Sequence, residues 1–398
     1  MMKRSRGDRD EAPAGTSNPT VQQHLYLIFD DCDLGYTIRE LNLPSSLNSA
    51  AAAAAAAEQL PPPLISLEAQ RSSPQFFTAV GTNILATHPR EDGQDILPVI
   101  DVRSTGIRFA PGELYPRRPI FLPVGGDDGE IFALDMDAFK VLSMKPLSIL
   151  TPWWPQHEDH EDDEISDDDG IGGWSWRDLP MPTSFFSRMD VTSYAVGPDG
   201  QTILVSTADA TFAFDTVCNN KVWEKRADWS LPFSGRAYFV HEMGVFVGIP
   251  KDANAYGHLC FCRWLLLGAD ADGDEQHDVW FSKDNLSNKG SSESHVVGTS
   301  LVYFGESSRF CIVECVRNGD DEAVMKWLEE RGWEGQDHIT GEEEEEGCPL
   351  NARCCLTTVS LTFDTNGVLT TAAAETAVRC YKVPRRASFY MNPAAFWL

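Results

Sequence analysis

Basic residues are scarce in this chain. Its 398 residues hold 32 Lys and Arg against 60 Asp and Glu, a formal net charge of −28. A surface that neutralises phosphates needs clustered Lys and Arg, so nucleic-acid binding is not expected. Long apolar runs are missing too. No stretch approaches the ~18 residues of a membrane-spanning helix, and no membrane association is expected. The opening MMKRSRGDRDEAPAGTSNPT has no apolar core, so it does not read as a secretory signal. Residues 1–20 read instead as a disordered polar tail. Lys3-Arg4-Ser5-Arg6 within it is a weak nuclear-import signal. Catalytic signatures are lacking as well. No Gly-x-Ser-x-Gly elbow, Walker loop or dinucleotide glycine fingerprint occurs. Gly170-Ile171-Gly172-Gly173 follows an acidic run rather than a strand and reads as a hinge. No Cys-x-x-Cys pair occurs among the 10 cysteines. Without secretion they read as reduced thiols in cytosol or nucleus. No metal, cofactor or catalytic residue is assigned.

The acidic excess is concentrated. Residues 158–169, 270–278 and 342–346 carry 9, 5 and 5 carboxylates, 19 of the 28 excess charges. Such blocks repel themselves, so they read as solvated loops, and the body between them is only mildly acidic. Asp270-Ala271-Asp272-Gly273-Asp274-Glu275 superficially resembles a calcium loop. An EF-hand would need Gly at Glu275 and Glu at Phe281, and it has neither. His157 and His160, among carboxylates, read as solvated rather than ligating.

Short strands are abundant. Thr192–Val196, Thr202–Ser206, Thr211–Asp215 and Val222–Lys225 are each rich in β-formers. Gly197-Pro198-Asp199-Gly200, Thr207-Ala208-Asp209 and Cys218-Asn219-Asn220 turn one into the next. That is a four-stranded antiparallel meander, which needs others packed beside it to be stable. Similar groups recur at Phe76–Phe109, Ile120–Met144 and Arg236–Ser282. A sixth begins with His295–Thr299, Ser300–Phe304 and Phe310–Cys315. Asp320–Arg331 interrupts it with acidic residues followed by Val324, Trp327 and Leu328 on one helical face, so a helix is predicted there. His24–Phe29 and Tyr36–Leu41 precede all of these. Ala377–Val383 follows them and is predicted to close the ring with His24–Phe29.

Repeat arithmetic gives about six units of ~40–50 residues once the insertions are removed. The expected fold is all-β: a single kelch-like β-propeller of about six four-stranded blades, with acidic loop insertions and one inserted helix. The propeller spans 21–384, with insertions at about 45–63, 155–173, 268–277 and 318–350. An aromatic tail covers 385–398. The alternative is an all-β sandwich. The repeat signature is loose. Phe214-Asp215, Trp223 and Leu231-Pro232 are echoed by Leu134-Asp135, Trp176 and Leu179-Pro180. Asp135, Trp176, Asp215 and Trp223 are therefore the repeat-signature structural residues. The double glycine usual in kelch repeats occurs once, as Gly125-Gly126.

Other motifs have plainer readings. Cys260 and Cys262, and likewise Cys311 and Cys315, share strand faces by the two-residue period and read as buried core. Cys354 and Cys355 point to opposite faces. Ser166, in Glu164-Ile165-Ser166-Asp167-Asp168-Asp169, suits an acid-directed kinase. Ser388, after Arg385-Arg386-Ala387, suits a base-directed one. Both are candidate phosphorylation sites.

LYLIFDDCDLGYTIREL, YAVGPDGQTILVSTADATFAFDT followed by WSLPFSGRAYF, and GVFVGIPKDANAYGHLCFC resemble a plant family expanded in grasses. That family is catalogued as domain of unknown function sixteen sixty-eight. The resemblance covers most of 24–384 and implies a kelch-like propeller and a plant source, with no activity and no site residues. Similar plant kelch proteins often carry an F-box. Here about 20 residues precede the first strand, too few for that helical module.

The expected function is a non-catalytic interaction scaffold, a monomer in cytoplasm or nucleus, presenting blade loops to a protein partner. Two alternatives stand beside it. One is a propeller hydrolase or lyase with carboxylates at the channel mouth. The other is a decayed family member without a retained partner.

Overall fold

The structure is a computed structural model and describes residues 23–31, 35–43, 57–68, 76–87, 96–112, 117–126, 129–143, 174–182, 185–218, 221–263, 279–287, 294–305, 308–318, 351–365, 368–372, 376–383 and 394–398. Every regular element among them is a strand, apart from two single-turn 3-10 segments, Arg188–Asp190 and Ala253–Ala255. The chain is all-β over these residues. No helix among them is long and apolar enough to cross a membrane. The predicted helix at Asp320–Arg331, the three acidic runs and residues 1–20 lie outside the described residues.

The strands follow one another as antiparallel meanders. The first holds β1 (Leu25–Asp30), β2 (Tyr36–Leu41) and β4 (Ile65–Leu67), while the two-residue β3 (Glu58–Gln59), between β2 and β4 in the chain, belongs to another sheet. Next come β5 (Phe77–Val80), β6 (Asn83–Ala86), β7 (Ile96–Asp101) and β8 (Gly106–Pro111). The third meander is β9 (Ile120–Val124), β10 (Glu130–Leu134), β11 (Phe139–Ser143) and β12 (Ser175–Asp178). The fourth is β13 (Ser193–Val196), β14 (Thr202–Ser206), β15 (Thr211–Asp215) and β16 (Trp223–Ala227). The fifth is β17 (Phe233–Val240), β18 (Val245–Pro250), β19 (Cys260–Arg263) and β20 (Val279–Phe281). The sixth is β21 (Ser294–Tyr303), β22 (Arg309–Asn318), β23 (Asn351–Phe363), β24 (Leu369–Thr371) and β25 (Ala377–Lys382). The strand β26 (Ala394–Trp397) comes last.

The local chemistry explains the turns. Between β13 and β14 the Asp199 carboxylate accepts from the amides of Gln201 and Thr202, at 3.0 and 2.8 Å. Gly200 takes a φ of +69°, which only glycine adopts freely. The middle strands lack period-two alternation because both their faces are buried. Ile203 and Val205 of β14 pack with Leu122, Phe132 and Phe139 of the third meander. Leu204, between them, packs with Phe233, Ala237 and Phe246 of the fifth. Each fully buried Phe or Leu contributes about 1.5–3 kcal/mol.

The first strands of the meanders form a closed series. β5 lies against β9, β9 against β13, β17 against β21, and β26 against both β21 and β5. The remaining junction is hydrogen-bonded: β13 pairs with β17 in parallel, Ser193 opposite Gly235 and Tyr194 opposite Arg236, so the two meanders make one eight-stranded sheet. The first strands run the same way. One end of the ring, here the proximal end, therefore carries the segments entering β9, β13 and β17 and the turns between second and third strands.

The strand pairing corrects several expectations. The strand beside β1 is β26, not Ala377–Val383: Leu25 pairs with Trp397 and Ile28 with Ala394. Ala377–Lys382 is the outer strand of the sixth meander, paired with β23. His295–Thr299 and Ser300–Phe304 are one strand with an irregularity between Val296 and Gly298, and counting it twice left no place for β25 in the sixth meander. The aromatic tail is consequently part of the sheet. In the expected insertion at 45–63, Glu58 and Gln59 pair in parallel with Tyr381 and Lys382. Last, not all cysteines are reduced thiols. Cys355 and Cys380, direct partners across β23 and β25, form a disulfide.

Candidate functional site

The structure places Trp176 and Trp223 in like settings, and Asp135 and Asp215 in unlike ones. Trp176 in β12 sends its indole N–H to the carbonyl of Pro111, at 2.8 Å, across the boundary with the second meander. Trp223 in β16 does the same to Pro180, at 3.1 Å, across the boundary with the third. Opposite them in their own sheets are Leu142 and Phe214, each the fourth residue of a third strand. The tryptophans are thus equivalent. The aspartates are not. Asp215 ends a third strand, where its exposed carboxylate accepts from the amides of Val217 and Cys218. Its counterpart is Asp101, which accepts from the Arg103 amide and the Ser104 hydroxyl. Asp135 follows a second strand and is buried. Its two oxygens accept the backbone N–H of Arg117 and of Arg118, both at 2.7 Å. Ser166 and Ser388 lie outside the described residues.

Asp135 leads to the group that the sequence did not single out. By holding two successive amides it fixes the entry into β9 and the base of Arg118. The Arg118 guanidinium is exposed and donates to Met189 Sδ at 3.5 Å, a weak acceptor. Arg188 Nε donates to the Arg118 carbonyl at 2.6 Å. The turn carrying Arg188 is itself braced. Ser187 Oγ accepts from the Met189 amide, and the Asp190 carboxylate accepts from the Ser187 amide. Arg188 is half-buried, and burial lowers its proton affinity. Tyr194 and Asp135 oppose that fall, while the Arg118 charge adds to it.

Tyr194 stands on β13, directly opposite Arg236 on β17. Burial raises its hydroxyl pKa, with Arg236 and Arg188 pulling the other way. Arg236 lies over the Tyr238 ring, 4.8 Å from its centroid. The Tyr238 hydroxyl is anchored on the Leu301 carbonyl at 2.9 Å. Arg188 and Arg236 therefore both act on one tyrosine, and Arg118 sits beside Arg188, so guanidiniums from the segments entering β9 and β13 and from β17 gather at the proximal end. Among the described residues none of Arg118, Arg188 and Arg236 forms an ion pair, whereas Arg117 pairs with Asp137 at 3.1 Å. Asp135, the nearby carboxylate, has both oxygens occupied by backbone amides.

The remaining candidates are core. Cys260 and Cys262 share one buried cluster, and Cys311 and Cys315 another. Burial pushes the Cys260 and Cys311 thiols well above the usual range. Tyr256, in the β18–β19 turn, donates to the buried Glu314 at 2.9 Å and joins the fifth meander to the sixth.

A family model described as protein of unknown function, DUF1668, matches residues 22–380. The chain belongs to the DUF1668 family. No curated protein matches it. Among solved structures, the DUF1668 chain is similar to a putative 6-phosphogluconolactonase from Bacteroides fragilis. Identity is 10%, coverage is 96% of this chain and 99% of that one, and the TM-score is 0.38. It is also similar to the β-propeller domain of Myceliophteria thermophila Cps50 (Swd1), with 9% identity, 77% and 85% coverage and a TM-score of 0.35. A third is the WD40 domain of SCAP from fission yeast, with 9% identity, 92% and 90% coverage and a TM-score of 0.29. The ring of this DUF1668 chain rests on its own strand pairing.

The arginine group left little trace in the sequence. Arg117-Arg118 before a strand is the one visible hint, and Arg188 and Arg236 are lone arginines in unrelated contexts. Only the parallel β13–β17 pairing and the Arg188–Arg118 bond bring them together.

Proposed function

We propose that this DUF1668 chain is a six-bladed, kelch-like propeller that works as a monomeric, non-catalytic binding protein. It takes an acidic segment of a protein partner at the proximal end. The blades are the six meanders, with β26 as the innermost strand of the first. The kelch-like character rests on the tryptophans that start the outer strands of the third and fourth blades. One observation carries the binding role. Arg188 and Arg236 flank Tyr194, and Arg118 sits beside Arg188, without ion pairs among the described residues, in a chain with nearly two acids per base. Like charges repel, so such a group is stabilised when an anion enters it. Arginine clusters recognise acidic motifs through their planar, multi-donor heads. A cytosolic or nuclear setting suits the five buried free thiols.

The test is fluorescence anisotropy with a labelled oligoglutamate peptide, titrated at two ionic strengths. Binding should weaken as salt rises. Arg118→Glu and Arg236→Glu should abolish it, while Lys225→Glu, on the outer strand β16, should leave it unchanged. Equal binding by all the variants would overturn the proposal.

A further inference from the structure

We infer that the group gripped by Arg118, Arg188, Arg236 and Tyr194 is a phosphoryl group on a side chain of the partner protein. This rests on the reading of the proximal end as the partner-binding face. It follows from the number and direction of the donors. Among the described residues Arg188 uses only Nε, on the Arg118 carbonyl, which leaves both terminal nitrogens of its guanidinium. Arg118 spends one terminal nitrogen on a thioether, an acceptor that any anionic oxygen displaces. Arg236 lies against the Tyr238 ring, so its N–H groups point out along the edge of its plane. Tyr194 stands directly opposite Arg236 across β13 and β17.

A carboxylate is flat, has two oxygens and carries one charge. A single guanidinium fork saturates it. Placed here, it would leave two arginines unanswered and their mutual repulsion only partly relieved. A phosphoryl group carries about −1.5 to −2 charges and three acceptor oxygens in a tetrahedral array. It matches three guanidiniums arriving from three chain segments. The site is also built in advance. Asp135 fixes the backbone beneath Arg118, Ser187 and Asp190 brace the turn beneath Arg188, and the parallel pairing of Tyr194 with Arg236 fixes the third side. Preorganised donors bind more tightly because less freedom is lost on association.

The experiment uses the full chain and four probes: a short labelled neutral peptide carrying one phosphoserine, the same peptide with Ser, the same peptide with Glu, and inorganic phosphate as competitor. The phosphoserine peptide should bind about 10-fold or more tightly than either relative. Arg118→Gln and Arg188→Gln should each remove that preference while the fold still melts as a single transition. Arg118 is exposed, so its substitution tests the idea even if Arg188→Gln fails to fold. If the Glu peptide binds as well as the phosphoserine peptide, the phosphoryl inference fails and the acidic-segment reading stands. If neither binds, both fail. If inorganic phosphate binds as tightly as the phosphopeptide, the site serves the free anion and the partner inference fails.

Discussion

The indole N–H of Trp176 and the carbonyl of Pro111 are 2.8 Å apart and belong to neighbouring meanders. Trp223 and Pro180 repeat the relationship one meander further on, at 3.1 Å. Trp176→Phe keeps the ring and deletes the donor, and should cost about 1 kcal/mol. Trp176→Ala also empties a buried pocket and should cost about 3–5 kcal/mol. Asp215→Ala, at an exposed turn, should cost less than either. Urea denaturation of the three variants gives the ranking. A neutral Trp176→Phe would show that the indole bond contributes nothing to the seam.

Ring closure depends on the last residues. Trp397 donates to Gln23 at 2.8 Å and packs its ring 4.3 Å from that of Phe304, while Leu398 and His24 exchange backbone hydrogen bonds. A chain ending at Pro393 loses the inner strand beside β1 and exposes the edges it covered. It should be insoluble or melt non-cooperatively. Trp397→Ala should cost about 3–5 kcal/mol in the full chain. A soluble, cooperatively melting chain lacking residues 394–398 would show that β26 is not the clasp.

The disulfide joins β23 to β25 over a sequence separation of 25. Closing a loop of that size is worth about 3 kcal/mol against the unfolded chain. Cys380→Ser should lower stability by about that amount under non-reducing conditions. Under the same conditions, peptide mapping of the native chain should recover Cys355 and Cys380 linked. An unchanged unfolding midpoint would mean that strand pairing alone sets the strength of this edge.

Tyr256 gives a pH signature. Burial pushes its hydroxyl from the ordinary 10.0 to about 12; Glu314 adds to the rise, and Ser287 opposes it. The folded chain therefore holds this proton more tightly than the unfolded chain. The resulting stability is complete below about pH 10 and is lost as pH climbs toward 12. Tyr256→Phe should flatten part of that alkaline fall. It should also cost about 1–3 kcal/mol at neutral pH, because the buried Glu314 loses a donor. Identical pH–stability curves for variant and parent would contradict the assignment.

Much of the sheet order was legible because the turns announce themselves. Pro198-Asp199-Gly200 marks a reversal by its φ preferences, and the four strands after Val191 lie where β-formers cluster. Ala394–Trp397 was not legible as the clasp. Two alanines give it little β-propensity, and only long-range pairing with Leu25–Ile28 makes it a strand. Ser294–Tyr303 was not legible as one strand, because its length and its irregularity between Val296 and Gly298 resemble two short strands end to end. Asp135 and Asp215 differ because a short carboxylate caps many kinds of turn, whereas Trp176 and Trp223 each donate to a carbonyl of the preceding meander. The arginine group was invisible for a different reason. Its members are 118 residues apart at the extremes, and their separation in sequence carries no information about a ring's shared end.

The most direct test of the account is amide hydrogen exchange of the full chain with and without a saturating acidic or phosphoserine peptide. The account expects slower exchange confined to residues 117–120, 187–194 and 235–238, with the opposite turns at 197–200 and 241–244 unchanged. Slowed exchange at those opposite turns, or on the outer strands alone, would contradict it.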